Sequence, residues 1–238
     1  MKRSWGIIKF VLLGALVVFL FSFTAERNKK RKLTKIDLEF VDGNTPFITL
    51  NSVNKLLIQN HEKVTSIDKE TLVLNEMELR LKENPMIRDA QVFMTVDGVL
   101  GAKIEQRTPI ARVSSSPDYY IDADGKKMPL SSVFTARVPI INAGEKMNFE
   151  KVTKLLLKIN DDPFMKSGVV GLDIENNGGV VMRFRKYNFK VLFGNIESIE
   201  KKFQNFKAFF QKIKQDGTLK EYHLVNLQFE SQVVATKR

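Results

Sequence analysis

The chain contains no cysteine and only two histidines among its 238 residues, and these absences exclude several kinds of site. Without cysteine there is no disulfide, cysteine-ligated zinc, iron–sulfur cluster or thiol nucleophile. His61 and His223 lie 162 positions apart, which disfavours a histidine-based metal site or catalytic triad. The side chains on which most catalytic mechanisms depend are therefore absent or scarce in this chain. We expect neither a cofactor nor a small-molecule substrate.

The net charge of +11 is concentrated at the N-terminus. Residues 1–32 carry eight lysines and arginines against Glu26 alone, which accounts for seven of these charges and leaves +4 for the rest. A body so close to neutrality lacks the cationic surplus that binds phosphate backbones. We therefore expect no nucleic-acid partner.

An apolar segment, residues 5–25, lies between the two basic clusters. At a rise of 1.5 Å per residue it would extend about 31 Å, close to the thickness of a bilayer's hydrocarbon core. We predict a single transmembrane helix, with Trp5, Lys9, Phe10 and Phe23 as membrane-anchoring residues. A cleaved signal peptide is the alternative, but bulky Phe23 stands where cleavage needs a small residue.

Charge counting conflicts with export of the body that follows this helix. Five basic residues follow the apolar segment and two precede it, which by a literal count places the C-terminal body in the cytoplasm. The rule is weakest for long translocated domains, and 206 residues follow Lys32.

The first half of the body shows the pattern of a small α+β unit. Apolar residues alternate in a strand and then recur at helical spacing twice, before two strands joined at Asp97-Gly98 by a predicted type I′ turn. The predicted order is strand, helix, helix, strand, strand, over Lys35–Val41, Thr49–Asn60, Leu74–Asn84, Ile87–Val96 and Val99–Glu105.

The second half predicts a mixed β domain with flanking helices. Asn148–Asn160 and Ile196–Lys214 have amphipathic helical patterns, and a hairpin surrounds residues 176–179. The apolar stripe of the second helix fits a core face better than a partner groove. The chain ends in two strand-like runs, His223–Phe229 and Gln232–Thr236.

Five short motifs occur in one order behind the N-terminal apolar segment. Together they resemble the FtsQ/DivIB family of bacterial cell-division proteins, in a version like that of the Bacteroidetes, although Gln106 interrupts the family's E-R-x-P strand. Asn226 and Gln228 also replace the acidic and basic residues of the family's terminal strand. The motifs lie in Leu81–Val92, Ile104–Arg112, Tyr120–Gly125, Val138–Gly144 and Val225–Val234.

The resemblance implies a non-enzymatic protein of the inner membrane, with its N-terminus in the cytoplasm and its body in the periplasm at the division site. It implies a POTRA domain, a small α+β interaction module, followed by an FtsQ-type β domain. The expected divisions are a cytoplasmic tail (1–4), a transmembrane helix (5–25), a basic linker (26–34), a POTRA domain (35–106) and a β domain (107–238).

The resemblance also implies partners, namely FtsB-like and FtsL-like single-span division proteins, with further division proteins bound through the POTRA domain. An alternative is a POTRA-bearing protein of outer-membrane assembly or secretion, but the chain after Gln106 is too short for a large barrel. A membrane-anchored hydrolase is a second alternative, and the nucleophile or paired carboxylates it needs are not apparent. Asp122-Ala-Asp-Gly125 resembles the start of a calcium loop, but a tight turn fits better because lysines follow it.

Two sheet edges are candidate interaction sites. In the first half, the edge around Gln91–Thr95 either accepts a strand or is covered by the β domain, and neither is favoured. At the C-terminus no element follows the last strand, so we predict strand addition by an FtsB-like partner. Phe229 and Val234 would supply apolar contacts, and Lys237 and Arg238 would meet partner acids, although a core position for Phe229 is equally consistent. The predicted partner-binding residues are Phe229, Glu230, Ser231, Gln232, Val233, Val234 and Ala235.

Overall fold

The chain divides into two units, Met1–Gln106 and Arg107–Arg238. Each unit has its own hydrophobic core. Within the described residues there are six α-helices and twelve β-strands, so the fold is α+β with mixed sheets. The computed structural model describes residues 2–29, 34–41, 47–58, 74–143, 147–229 and 232–238.

The N-terminal helix, α1 (Lys2–Lys29), precedes the first strand. The predicted transmembrane helix at residues 5–25 is wrong, because no helix among the described residues is long and apolar enough to cross a bilayer. Side chains are described for residues 9–24 of α1.

The four predicted anchoring residues all lie in α1. Phe10 and Phe23 are exposed, with 78% and 56% of their surface accessible, and Lys9 is exposed as well. The side chain of Trp5 lies outside the described residues.

After α1, the first unit has two helices on one face of a three-stranded sheet. The strand order is β1-β3-β2, with β1 parallel and β2 antiparallel to β3. The buried side chains of both helices pack against alternate residues of the sheet. Its elements are β1 (Lys35–Phe40), α2 (Leu50–Ile58), α3 (Leu74–Lys82), β2 (Ile87–Met94) and β3 (Val99–Gln106).

The turn between β2 and β3 is not of type I′. Gly98 has a φ of +85°, whereas Asp97 does not have a positive φ, and a type I′ turn requires one at both central residues. The Gly98 N–H donates to the Thr95 carbonyl at 3.1 Å, and the Thr95 N–H donates to the Val99 carbonyl at 3.0 Å. The loop is therefore a longer one in which a single glycine supplies the left-handed residue.

The second unit is built on a nine-stranded mixed sheet. The strand order is β12-β11-β10-β9-β8-β7-β4-β5-β6. Three neighbouring pairs are parallel, namely β10–β11, β4–β7 and β7–β8, and the others are antiparallel. Its elements are β4 (Pro109–Val113), β5 (Tyr119–Asp122), β6 (Lys127–Pro129), β7 (Ile140–Ala143), α4 (Phe149–Asp161), α5 (Pro163–Gly168), β8 (Val169–Ile174), β9 (Val180–Phe184), β10 (Lys190–Gly194), α6 (Ile199–Gln215), β11 (Tyr222–Asn226) and β12 (Val234–Lys237).

The short helix α5 is not predicted by the sequence pattern. Asp161-Asp162-Pro163 ends α4, as a helix stop would, but it also starts a second helix. The Asp162 carboxylate accepts hydrogen bonds from the N–H groups of Phe164 and Met165 at 3.0 and 3.1 Å. Pro163 occupies the first helical position, where a missing N–H costs nothing.

The apolar stripe of α6 belongs to the core. Phe206 is fully buried and Phe203 and Phe210 nearly so, and the ring of Phe206 lies 4.9 Å from that of Phe184 on β9. The stripe faces the sheet and is not a partner groove.

Candidate interaction edge at the C-terminal strand

Strand β12 forms one edge of the nine-stranded sheet. It pairs antiparallel with β11, with Ala235 opposite Val225 and Val234 opposite Asn226. Among the described residues, no strand pairs with its other side. Such an edge presents backbone donors and acceptors to which another chain can add.

The direction of the N–H groups along β12 can be assigned from one bond. The Arg238 N–H donates to the Glu221 carbonyl at 2.8 Å, so it points toward β11. Because successive N–H groups of a strand point to opposite sides, those of Ala235 and Lys237 point to the open edge. These two donors are available to an added strand.

The side chains along this edge divide into two groups. Val233 and Ala235 are half-buried and pack against the core. Phe229 and Val234 are exposed, with 47% and 42% of their surface accessible. Phe229 is therefore not a core residue, and the two apolar side chains predicted for partner contact are accessible to solvent.

The other predicted partner-binding residues differ in how far they can be described. Gln232 is exposed, whereas Glu230 and Ser231 lie outside the described residues. Lys237 already has a partner within the chain, because its ammonium lies 2.6 Å from the Glu221 carboxylate. The hydrogen bond to Glu221 raises the pKa of Lys237.

The segment that leads from β11 toward β12 is held against the end of β10. The Leu227 N–H donates to the Leu192 carbonyl at 2.8 Å. Gly194 has a φ of +70°, and a Cβ at this position would lie 2.7 Å from Cγ of Gln228. Only glycine allows both this backbone conformation and this close approach.

A buried lysine closes the same end of β10. The Lys202 ammonium donates to the carbonyls of Phe193 and Asn195 at 2.9 and 2.8 Å and lies 4.5 Å from the centre of the Phe193 ring. Burial lowers the pKa of Lys202. The sequence analysis missed this residue, yet it occupies the apolar face of α6, three positions after Ile199 and four before Phe206.

A buried ion pair joins two of the motifs in the second unit. The Arg107 guanidinium lies 2.7 Å from the Asp122 carboxylate, and the two side chains are only 10% and 1% exposed. The other Asp122 oxygen accepts from the N–H groups of Asp124 and Lys126. The Asp122–Gly125 segment is thus the predicted tight turn, and in the described part of the chain no acidic or histidine cluster could hold a metal ion.

The β2 edge of the first unit differs from the β12 edge of the second, because backbone donors of β2 already have partners within the unit. The Val92 N–H of β2 donates to the Glu78 carboxylate of α3 at 2.8 Å, and the Ala90 N–H donates to Asp89 at 2.9 Å. Lys82 of α3 pairs with Asp89 at 2.7 Å. Helix α3 therefore already occupies the Val92 donor of the β2 edge, Asp89 of β2 itself occupies that of Ala90, and β12 is the more accessible edge.

The family model described as "FtsQ/DivIB, C-terminal related" matches residues 108–236. This match covers more than half of the chain and runs from the start of β4 into β12. The chain belongs to the FtsQ/DivIB family. No curated protein matches it significantly. The matched region contains Asp122 of the buried ion pair and most of the edge strand β12.

Membership of the FtsQ/DivIB family gives a coarse function. Members of this family are non-catalytic cell-division proteins that associate with the membrane at the division site. They interact with other components of the division machinery. A role in cell division follows for this chain.

Proposed function

We propose that this protein is a non-enzymatic scaffold of the division machinery that binds a partner by strand addition to β12. The observation that carries the proposal is the open edge of β12, with the N–H groups of Ala235 and Lys237 directed outward. Backbone pairing would supply affinity, and the exposed side chains of Phe229 and Val234 would supply apolar contacts that select the partner.

The proposed partner is an FtsB-like protein, with an FtsL-like protein in the same complex, as in the family that the chain resembles. The proposed place of action is the periplasmic side of the inner membrane at the division site. We further propose that residues 35–106 are a POTRA domain that recruits other division proteins. The sheet order β1-β3-β2 under two helices supports this part.

The cellular role is tested by a fluorescent fusion to the full chain in its own organism. Enrichment of the fusion at the division site is expected during constriction. Uniform labelling of the cell surface would contradict the role in division, whatever the partner.

Strand addition is tested by substituting Ala235. In Ala235→Pro the outward N–H is lost while the bonds from β12 to β11 remain, because proline is tolerated on an edge strand where its nitrogen faces outward. We expect the full-length variant to lose co-purification with the co-expressed FtsB-like protein of the same organism.

The matched control is Ala235→Val, which also enlarges the side chain at this position but keeps the N–H. It should retain the partner. Equal retention of the partner by both variants, with the fold intact by circular dichroism, would rule out pairing at this edge.

A further inference from the structure

A cavity of about 250 Å³ opens at the end of the second sheet where β12 finishes. The turn between β9 and β10 contributes Lys186 and Tyr187, the segment between α6 and β11 contributes Lys220, and the first residue of β11 contributes Tyr222. Arg238, the residue after β12, also lines the cavity. The cavity is therefore continuous with the Lys237 end of the edge strand.

The charged side chains that line this cavity are all cationic. Lys186, Lys220 and Arg238 are exposed, and none of them forms an ion pair with another residue in the described part of the chain. The neighbouring acid, Glu221, is already paired with Lys237 at 2.6 Å. The positive charge of the cavity is consequently not neutralised by the side chains around it.

The two tyrosines give the cavity rigid walls. The Tyr187 ring stacks on Phe189 with a centroid distance of 5.5 Å and meets the edge of Phe210 at 5.1 Å. The Tyr222 ring meets Phe209 at 5.6 Å. Adjacent phenylalanines of α6 thus hold both rings, so the aromatic surface is present before any ligand arrives.

The backbone conformation of Lys186 also marks this cavity as a functional site. Lys186 has a φ of +69°, one of two positive φ values among the described non-glycine residues. Such a conformation is unfavourable for lysine, and conformations of this kind cluster where function requires them. This conformation places the long cationic side chain of Lys186 at the cavity.

We infer that this cavity binds carboxylate side chains of the partner segment that adds to β12. The inference rests on the proposed function, because a strand paired with β12 leaves the sheet beside Arg238. Carboxylates are the anionic groups that proteins present to one another, and lysine ammonium groups beside tyrosine rings provide charge and hydrogen bonds for them. The partner segment is thus expected to carry glutamate or aspartate where it passes beyond the end of β12.

The experiment uses the full chain with fluorotyrosine at its four tyrosines and free triglutamate as the probe. In ¹⁹F NMR, triglutamate should shift the resonances of Tyr187 and Tyr222, assigned by tyrosine-to-phenylalanine substitution. Tyr119 and Tyr120 serve as internal references. Triglutamine, which has the same length without the charge, should shift none of them.

The double variant Lys186→Gln/Lys220→Gln should weaken triglutamate binding about threefold or more, since each exposed ion pair contributes little alone. The matched control, Lys151→Gln/Lys166→Gln, removes two exposed lysines elsewhere in the unit and should bind like the unaltered chain. Raising the salt to about 1 M should also abolish the shifts, because the Debye length falls to about 3 Å.

The outcome separates this inference from strand addition. Ala235→Pro should leave the triglutamate shifts unchanged, because the cavity does not use the outward N–H of β12. Absence of the shifts in the unaltered chain, or equal shifts with triglutamine, would overturn the inference even if the partner still pairs with β12. Equal binding by the two double variants would overturn it as well.

Discussion

At the residue scale, the contact between Arg107 and Asp122 holds the start of the second sheet together. The pair joins the residue two positions before β4 to the last residue of β5. With 10% and 1% of their side chains exposed, both charges are withdrawn from water. A buried charge that loses its partner is costly, because nothing replaces the lost hydration.

Substitution of one partner should therefore be more harmful than substitution of both. We expect Arg107→Leu to lower the free energy of unfolding by about 3 kcal/mol, because it leaves the Asp122 carboxylate buried without its cation. The double variant Arg107→Leu/Asp122→Asn should recover part of this loss. Denaturant unfolding of the full chain measures both.

The control for this cycle is Glu200→Gln, which breaks the exposed pair between Lys158 and Glu200. Exposed pairs are screened by water, so the free energy of unfolding should hardly change. If Arg107→Leu were as mild as Glu200→Gln, the buried pair would not stabilise the unit.

At the element scale, the end of β10 determines the path of the chain toward β12. Gly194, Gln228 and the ammonium of Lys202 meet there, and Leu227 continues the pairing with β10 beyond the end of β11. The accessibility of Phe229 depends on this support, because Phe229 directly follows Gln228.

A side chain at Gly194 should disturb this path. Gly194→Ala places a methyl group 2.7 Å from Gln228 and also strains a backbone with a φ of +70°. We expect a loss of unfolding free energy larger than the roughly 1–2 kcal/mol of left-handed strain alone. Weaker binding of the partner at β12 should accompany it.

Gly178 provides a matched control for this substitution. It has a φ of +85° in the β8–β9 turn, and no atom lies within 4 Å of an added Cβ. Gly178→Ala should therefore show the strain without the clash and should leave partner binding unchanged. Equal effects of the two substitutions on partner binding would show that the Gln228 contact does not govern the edge.

At the scale of the whole molecule, the two units have cores that share no residue. Leu81 is fully buried in the first core and Phe206 is fully buried in the second. Unfolding of one unit need not remove side chains from the core of the other.

Leu81→Ala should consequently destabilise the first unit by about 2–5 kcal/mol, through the lost burial and the cavity left behind. Amide hydrogen exchange by mass spectrometry should show faster exchange in residues 74–106 and unchanged protection in the strands of the second unit. Phe206→Ala should produce the reverse pattern. Loss of protection throughout the chain in both variants would mean that the units unfold as one.

Local patterns in the sequence were sufficient for most helices and strands. The stripe from Ile199 to Ile213 predicts α6 and its buried face, because the period of an α-helix is visible within a single segment. The Asp122–Gly125 turn is equally local, since its hydrogen bonds form between near neighbours. The β12 strand is predicted by a short apolar run with no charge.

Other features depend on residues that are distant in the sequence. The parallel pairing of β10 with β11, across the intervening α6, sets where β12 lies, and no local pattern encodes it. The exposure of Phe229 follows from the same arrangement, since an aromatic residue near a strand fits a core equally well. The expected membrane span is a separate case: the length and composition of the segment predicted it, but no helix among the described residues is long and apolar enough to cross a bilayer.

Periodicity, turn residues and motif order are local properties, so the sequence alone predicts most helices and strands, the family and the approximate position of the C-terminal edge. The folded chain was needed to show which edge is open, that Glu78 already occupies the Val92 donor of β2, and that Lys186, Lys220 and Arg238 meet at one cavity. Strand pairing and charge clustering join segments far apart in the chain, so neither is visible in a local pattern. Which segments become neighbours is determined when the hydrophobic core forms.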